Sequence, residues 1–76
     1  MMDEEVTKTG GMEILKALRK KYEADIAAAL ANINVYNANP AGIGDHPDVV
    51  SAVDEEVVKL AEAADKLNVL IEFYKV

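Results

Sequence analysis

The sequence predicts an all-α fold, an antiparallel hairpin of two helices that dimerises into a four-helix bundle. Two long segments repeat apolar residues at steps of three and four, and a short segment between them concentrates proline, glycine and aspartate. Steps of three and four place side chains on one face of an α-helix. We therefore expect a flexible acidic arm at 1–11 and a helical hairpin at 12–76, with helices at about 12–37 and 47–75 and a connection at 38–46.

The first helix is predicted by one continuous apolar stripe. The stripe takes steps of 3, 4, 4, 3, 4 and 3 residues, with an alanine in its middle. Its members are Leu15, Leu18, Tyr22, Ile26, Ala29, Ile33 and Tyr36. The segment before Met12 contains Gly10 and Gly11 and shows no such periodicity, so we expect it to lie outside the helix.

The connection contains residues that end one helix and let the chain turn. Pro40 disfavours the helical conformation in the residue before it, which predicts that the first helix stops within residues 37–39. Gly42 and Gly44 can adopt positive φ angles without a Cβ clash, so a short connection can reverse the chain direction.

Residues 45–48 are expected to start the second helix. Asp45 or His46 can cap it, Pro47 fits its first turn, and Asp48 suits its positive end. His46 with the two aspartates is also the only grouping in the sequence that could bind a metal or act as acid and base. Metal sites normally need three or more converging ligands with supporting groups, so we interpret this grouping as a turn and a cap.

The second helix is predicted by a heptad repeat with alternating steps of three and four residues. The repeat consists of Val50, Val53, Val57, Leu60, Ala64, Leu67, Ile71 and Tyr74. When the two stripes are folded together about the connection, residue i faces residue 86 − i and nearly every apolar position meets another. Tyr22 then faces the small Ala64, and such complementary volumes favour a packed antiparallel interface.

A homodimer is expected because two helices alone bury only one stripe each. A chain of 76 residues is close to the size at which a single core no longer stabilises a fold. Apolar residues near or outside the heptad repeat would be covered by a second copy, especially in the carboxyl-terminal turns. The candidate interface residues are Leu30, Val58, Val69, Leu70, Phe73, Tyr74 and Val76.

The composition restricts the classes of function. The chain has no cysteine, which excludes disulfides and thiolate metal sites. Its net charge of −6 gives it no electrostatic attraction to nucleic acid, and no apolar run reaches the roughly 18 residues of a membrane span. The acidic amino terminus lacks the apolar core of a secretory signal. We therefore expect a cytoplasmic protein that contacts neither membranes nor nucleic acids.

Catalysis has no support in the sequence. Ser51 is the only serine, and no base lies near it along the chain. The one basic cluster, at residues 16–21, has acidic residues three or four positions away, so we interpret it as a solvated face paired within its own helix. We expect no enzymatic activity and no cofactor.

The stretch Asn32-Ile33-Asn34-Val35-Tyr36 and the connection from Asn39-Pro40 to His46-Pro47-Asp48 resemble small uncharacterised proteins encoded by tailed phages, notably phages of marine cyanobacteria. The resemblance extends over residues 16 to 68 as a helix, a connection and a second helix. It implies the cytoplasm of a host cell and a phage accessory role, without a mechanism.

These features together predict a small helical module for protein interaction or self-assembly. The alternative is an acidic regulatory inhibitor that presents its second helix to a basic partner and imitates nucleic acid. Residues 49–76 carry a net charge of −3, from six acids and three lysines, which motivates this alternative. An enzyme or metal protein centred on His46 is a third hypothesis, with the least support.

Overall fold

The hairpin predicted from the sequence is confirmed. The structure, a computed structural model, describes residues 2–39 and 48–76, with side chains from Met12 onward. It contains α1 at Met2–Ala38 and α2 at Val49–Tyr74, and these described ranges contain no strand. The two helices pack against each other antiparallel in an elongated body of 59 × 18 × 15 Å.

Helix α1 is longer at its amino end than the periodicity predicts. It begins at Met2, so the prediction of a start near Met12 is wrong. An existing helix extends by one hydrogen bond per added residue, and a glycine in its interior costs only about 1 kcal/mol relative to alanine. Gly10 and Gly11 therefore do not end the helix, although they carry no part of the apolar stripe.

The carboxyl ends of both helices are closed by backbone hydrogen bonds. Asn39 donates its N–H to the carbonyl of Val35 at 2.9 Å, and α1 ends at Ala38 as the position of Pro40 predicts. Lys75 takes a left-handed conformation with φ of 58° and donates its N–H to the carbonyl of Ile71 at 3.1 Å. This αL cap ends α2 after Tyr74.

The amino end of α2 is capped by Asp48, two or three residues after the predicted caps Asp45 and His46. The Asp48 carboxylate accepts the Ser51 N–H at 2.9 Å and the Ser51 hydroxyl at 2.6 Å. A capping residue lies just outside the helix, so α2 starts at Val49, two residues after the predicted start at about 47. The roles predicted for Gly42, Gly44, Asp45, His46 and Pro47 lie outside the described residues.

The packing stripe of α2 coincides only in part with the predicted heptad repeat: Val53, Leu60, Ala64 and Leu67 are half-buried, and the other four members are exposed. The buried residues of α2 are Ala52, Glu56, Ala63 and Leu70, and each directly precedes a predicted one. On α1 the buried residue is Ala29. Alanines at the contact have small side chains, which let two helices pack closely. The predicted interface residues Val50, Val57 and Ile71 are exposed.

The register along the hairpin also differs from the prediction. The Asn32 amide donates to the Glu56 carboxylate at 3.0 Å, and the Lys66 ammonium lies 5.7 Å from the centre of the Tyr22 ring. The residue numbers in both pairs add up to 88, two more than the predicted sum of 86. A buried carboxylate needs hydrogen-bond donors, and this register supplies Asn32 to Glu56.

Candidate functional site

Glu56 is the polar centre of the helix interface. Among the described residues it is the one buried charged side chain. Its carboxylate accepts a hydrogen bond from Asn32 on α1 at 3.0 Å and one from Lys59 on its own helix at 3.1 Å. Within the described part of the chain no buried polar side-chain atom lacks a partner. The carboxylate is therefore fully accommodated and links the two helices.

The pKa values of this pair follow from the same contacts. The pKa of the Glu56 carboxyl is lowered from 4.5, first by the Asn32 hydrogen bond and then by the hydrogen bond and charge of Lys59, while desolvation acts against them. The pKa of Lys59 is raised from 10.5, first by its hydrogen bond to Glu56 and then by the charge of that group. Since the Lys59 side chain remains open to water, desolvation lowers its pKa less than the contacts with Glu56 raise it.

Glu56→Gln should reduce the acid sensitivity of the fold. The folded state holds the pKa of Glu56 below 4.5, so its ionised form stabilises the hairpin fully above pH 4.5, and this contribution is lost as the pH falls from there through the lowered pKa of the folded state. Glutamine still accepts the Asn32 hydrogen bond but does not titrate. We expect the melting temperature of the variant, followed by circular dichroism, to fall less on acidification than that of the unaltered protein. Glu55→Gln, at the exposed neighbouring position, should keep the full drop, and equal curves for the two variants would contradict the assignment.

A shallow polar cleft of about 300 Å³ surrounds Glu56 on one side of the hairpin. Its lining combines three carboxylates with two ammonium groups, so the local charges largely cancel and the cleft favours neither a cation nor an anion. The lining residues are Asp25, Ala28, Ala29, Asn32, Glu56, Lys59, Glu62, Ala63 and Lys66.

The residues that line the cleft identify the side of each helix on which the cleft lies. On α1, Asp25 and Asn32 directly precede the packing residues Ile26 and Ile33. On α2, the lysines of the cleft likewise directly precede packing leucines. One residue corresponds to about 100° of rotation, so residues that directly follow the packing stripes lie on the opposite side of the hairpin.

That opposite side carries large exposed apolar residues among polar ones such as Lys16, Arg19 and Asn34. The exposed large residues that directly follow a packing residue are Leu30, Val50, Val57 and Ile71. We call these four residues the apolar face. Leu30 comes from α1 and the other three from α2, so the apolar face extends across both helices and along most of α2. Three of its residues were assigned by the sequence to the inside of the hairpin.

The candidate interface residues predicted from the sequence do not lie on one surface of the structure. Leu70 is 6% exposed and packs inside the hairpin, so the prediction that it lies on the outer surface is wrong. The cause is the one-position turn of α2, which brings Leu70 rather than Ile71 against α1. Leu30 belongs to the apolar face, whereas Val58 follows Glu56 by two positions and points away from both sides.

The remaining candidates lie near the carboxyl end of α2. Val69 directly precedes Leu70 and Phe73 follows it by three positions, which places both exposed side chains on the side of the polar cleft. Tyr74 is exposed and Val76 half-buried. Val69 and Phe73 are thus not continuous with the apolar face, whereas Tyr74 is a surface neighbour of Ile71.

The basic cluster of α1 is paired in part within its own helix, as the spacing predicts. Arg19 contacts Glu23 at 3.2 Å and Lys21 contacts Asp25 at 3.0 Å. All four side chains are well exposed, so each pair contributes little to stability.

Neither a metal site nor a membrane span occurs in the part of the chain that the structure describes. Residues 2–39 and 48–76 contain no group of three or more histidine, cysteine, aspartate or glutamate side chains placed to hold an ion. The described stretches of α1 and α2 are not apolar enough over a sufficient length to cross a bilayer. No protein-family model, curated protein or solved structure matches the chain.

Proposed function

We propose that this protein is a small helical interaction module that assembles with itself into a homodimeric four-helix bundle. The observation that supports this most is the choice of stripe on α2. The helix packs on α1 through residues that include two alanines and a glutamate, and it leaves two valines and an isoleucine outside. Burial of the larger side chains removes more apolar surface from water, so a second hairpin on this side would stabilise both copies.

The size of the apolar face fits a dimer interface. The hairpin is about 18 Å across, and Val50 to Ile71 spans about 32 Å at 1.5 Å per residue. Such a face offers a projected area of roughly 600 Å², and its accessible area is larger because side chains protrude. Stable interfaces bury about 800 Å² per partner, so the dimer contact must occupy nearly the whole of this side of the hairpin, its polar positions included.

The resemblance to small proteins of tailed phages supports an accessory role in the cytoplasm of a host cell. An interaction module suits such a role because its action requires a surface and no catalytic group. The described polar centre, Glu56 with Asn32 and Lys59, is internally paired and serves the hairpin itself.

Val57→Glu should dissociate the dimer. Val57 is 44% exposed on the apolar face, while the adjacent Val58 is 49% exposed and points away from it, so Val58→Glu is a matched control. Two-fold symmetry places two such carboxylates in the interface, where they lose hydration. We expect sedimentation equilibrium to show a dissociation constant raised by about 100-fold or more for Val57→Glu, and by less than about threefold for Val58→Glu.

The unaltered protein provides the decisive reference for this proposal. It should sediment as a dimer at micromolar concentration and remain helical by circular dichroism. A well-folded monomer at high micromolar concentration would contradict the proposed function, as would equal effects of the two glutamate substitutions.

A further inference from the structure

We infer that each α1 of the dimer lies on α2 of the second copy, with the two-fold axis parallel to the helices. This inference rests on the proposed dimer and adds which helices face each other. Two hairpins that meet through the apolar face have two symmetric arrangements. An axis parallel to the helices places α1 on α2, whereas an axis across the helices places α1 on α1 and α2 on α2.

The charges of the two helices favour the first arrangement. Helix α1, Met2–Ala38, carries five bases and six acids, a net charge of −1. Residues 49–74 carry six acids and two lysines, a net charge of −4. An α2 that lies on α2 therefore brings the two more acidic helices together, while α1 on α2 keeps them apart and leaves less repulsion between facing helices.

The bases of α1 lie beside the apolar face. Lys16 and Arg19 directly follow packing leucines and therefore lie on this side of the hairpin. Rotation about an axis parallel to the helices keeps the height of each residue along the hairpin, so these bases lie on α2 of the second copy, which carries the larger negative charge.

The apolar residues match in the same arrangement. The register places Leu30 at the height of residue 58, one residue from Val57. When α1 lies on α2 of the second copy, Leu30 of each chain therefore meets Val57 of the other. The two contacts are equivalent by symmetry, as an isologous interface requires.

Disulfide trapping between two single-cysteine variants tests this arrangement, because the chain has no cysteine of its own. Leu30→Cys and Val57→Cys are purified separately, mixed under reducing conditions to exchange subunits, and then oxidised. A disulfide needs Cβ atoms about 3.5–4.5 Å apart, so facing positions react first. We expect mass spectrometry to show the mixed covalent dimer in at least about tenfold excess over either self-linked dimer.

The cleft side of the hairpin supplies the control for random collisions. A mixture of Ala28→Cys and Glu62→Cys should link far more slowly, because these positions lie on the polar side. Preferential self-linking of Leu30→Cys and of Val57→Cys would overturn the inference, and so would products in statistical proportions. Sedimentation of the reduced mixture separates the two failures: a dimer without the mixed disulfide refutes only the arrangement, whereas a monomer refutes the proposed function as well.

Discussion

Leu70→Ala should destabilise the hairpin by about 2–5 kcal/mol, because it removes a buried leucine and leaves a cavity between the helices. Leu70 is 6% exposed and is the one large apolar side chain among the buried residues of the described chain. Folded domains of this kind have a total stability of only about 5–15 kcal/mol, so the loss should be evident in urea or thermal unfolding at a fixed protein concentration.

The neighbouring residue supplies a matched control for this measurement. Val69 is 42% exposed, so Val69→Ala should change the free energy of unfolding by less than about 1 kcal/mol. The heptad repeat by itself places neither residue inside the hairpin and instead favours Ile71. If Ile71→Ala were more damaging than Leu70→Ala in the dissociated protein, the packing stripe would be the predicted one and the apolar face would not exist.

Ala29→Leu should destabilise the hairpin by about 1–3 kcal/mol, because a larger side chain does not fit where the helices approach closely. Ala29 is 2% exposed, whereas Ala31 on the same helix is exposed. Leucine and alanine have similar helix propensities, so Ala31→Leu should change the free energy of unfolding by less than about 0.5 kcal/mol. Chemical denaturation of both variants measures the difference, and equal effects would show that Ala29 is not at a close contact.

The hairpin could be predicted because its signals are local. Steps of three and four residues identify a helix from the geometry of a single helix, without reference to its neighbours. Pro40 located the end of α1 within the predicted residues. The start of α1 could not be predicted in this way, because Gly10 and Gly11 carry no apolar stripe yet continue a helix at a small cost.

The candidate site could be predicted only in outline. Surplus apolar surface was visible in the sequence, and Leu30 was correctly placed outside the helix interface. The residues of α2 that form most of the apolar face were assigned to the interior, since valine and isoleucine at heptad spacing normally mark a core. The signal that was available is the alanine spacing of Ala52 and Ala63, whose small side chains favour close helix contact.

The sequence by itself determined that this chain forms two helices, where the first one ends, and that they pair antiparallel. Only the tertiary structure decided which stripe of α2 faces α1, and in which register. Both stripes satisfy the helical period, so the choice depends on how closely the backbones approach at Ala29 and Ala63 and on the donor that Asn32 provides to Glu56. These are interactions between residues distant in the chain, and they leave Val57 exposed on the surface that we propose as the dimer interface.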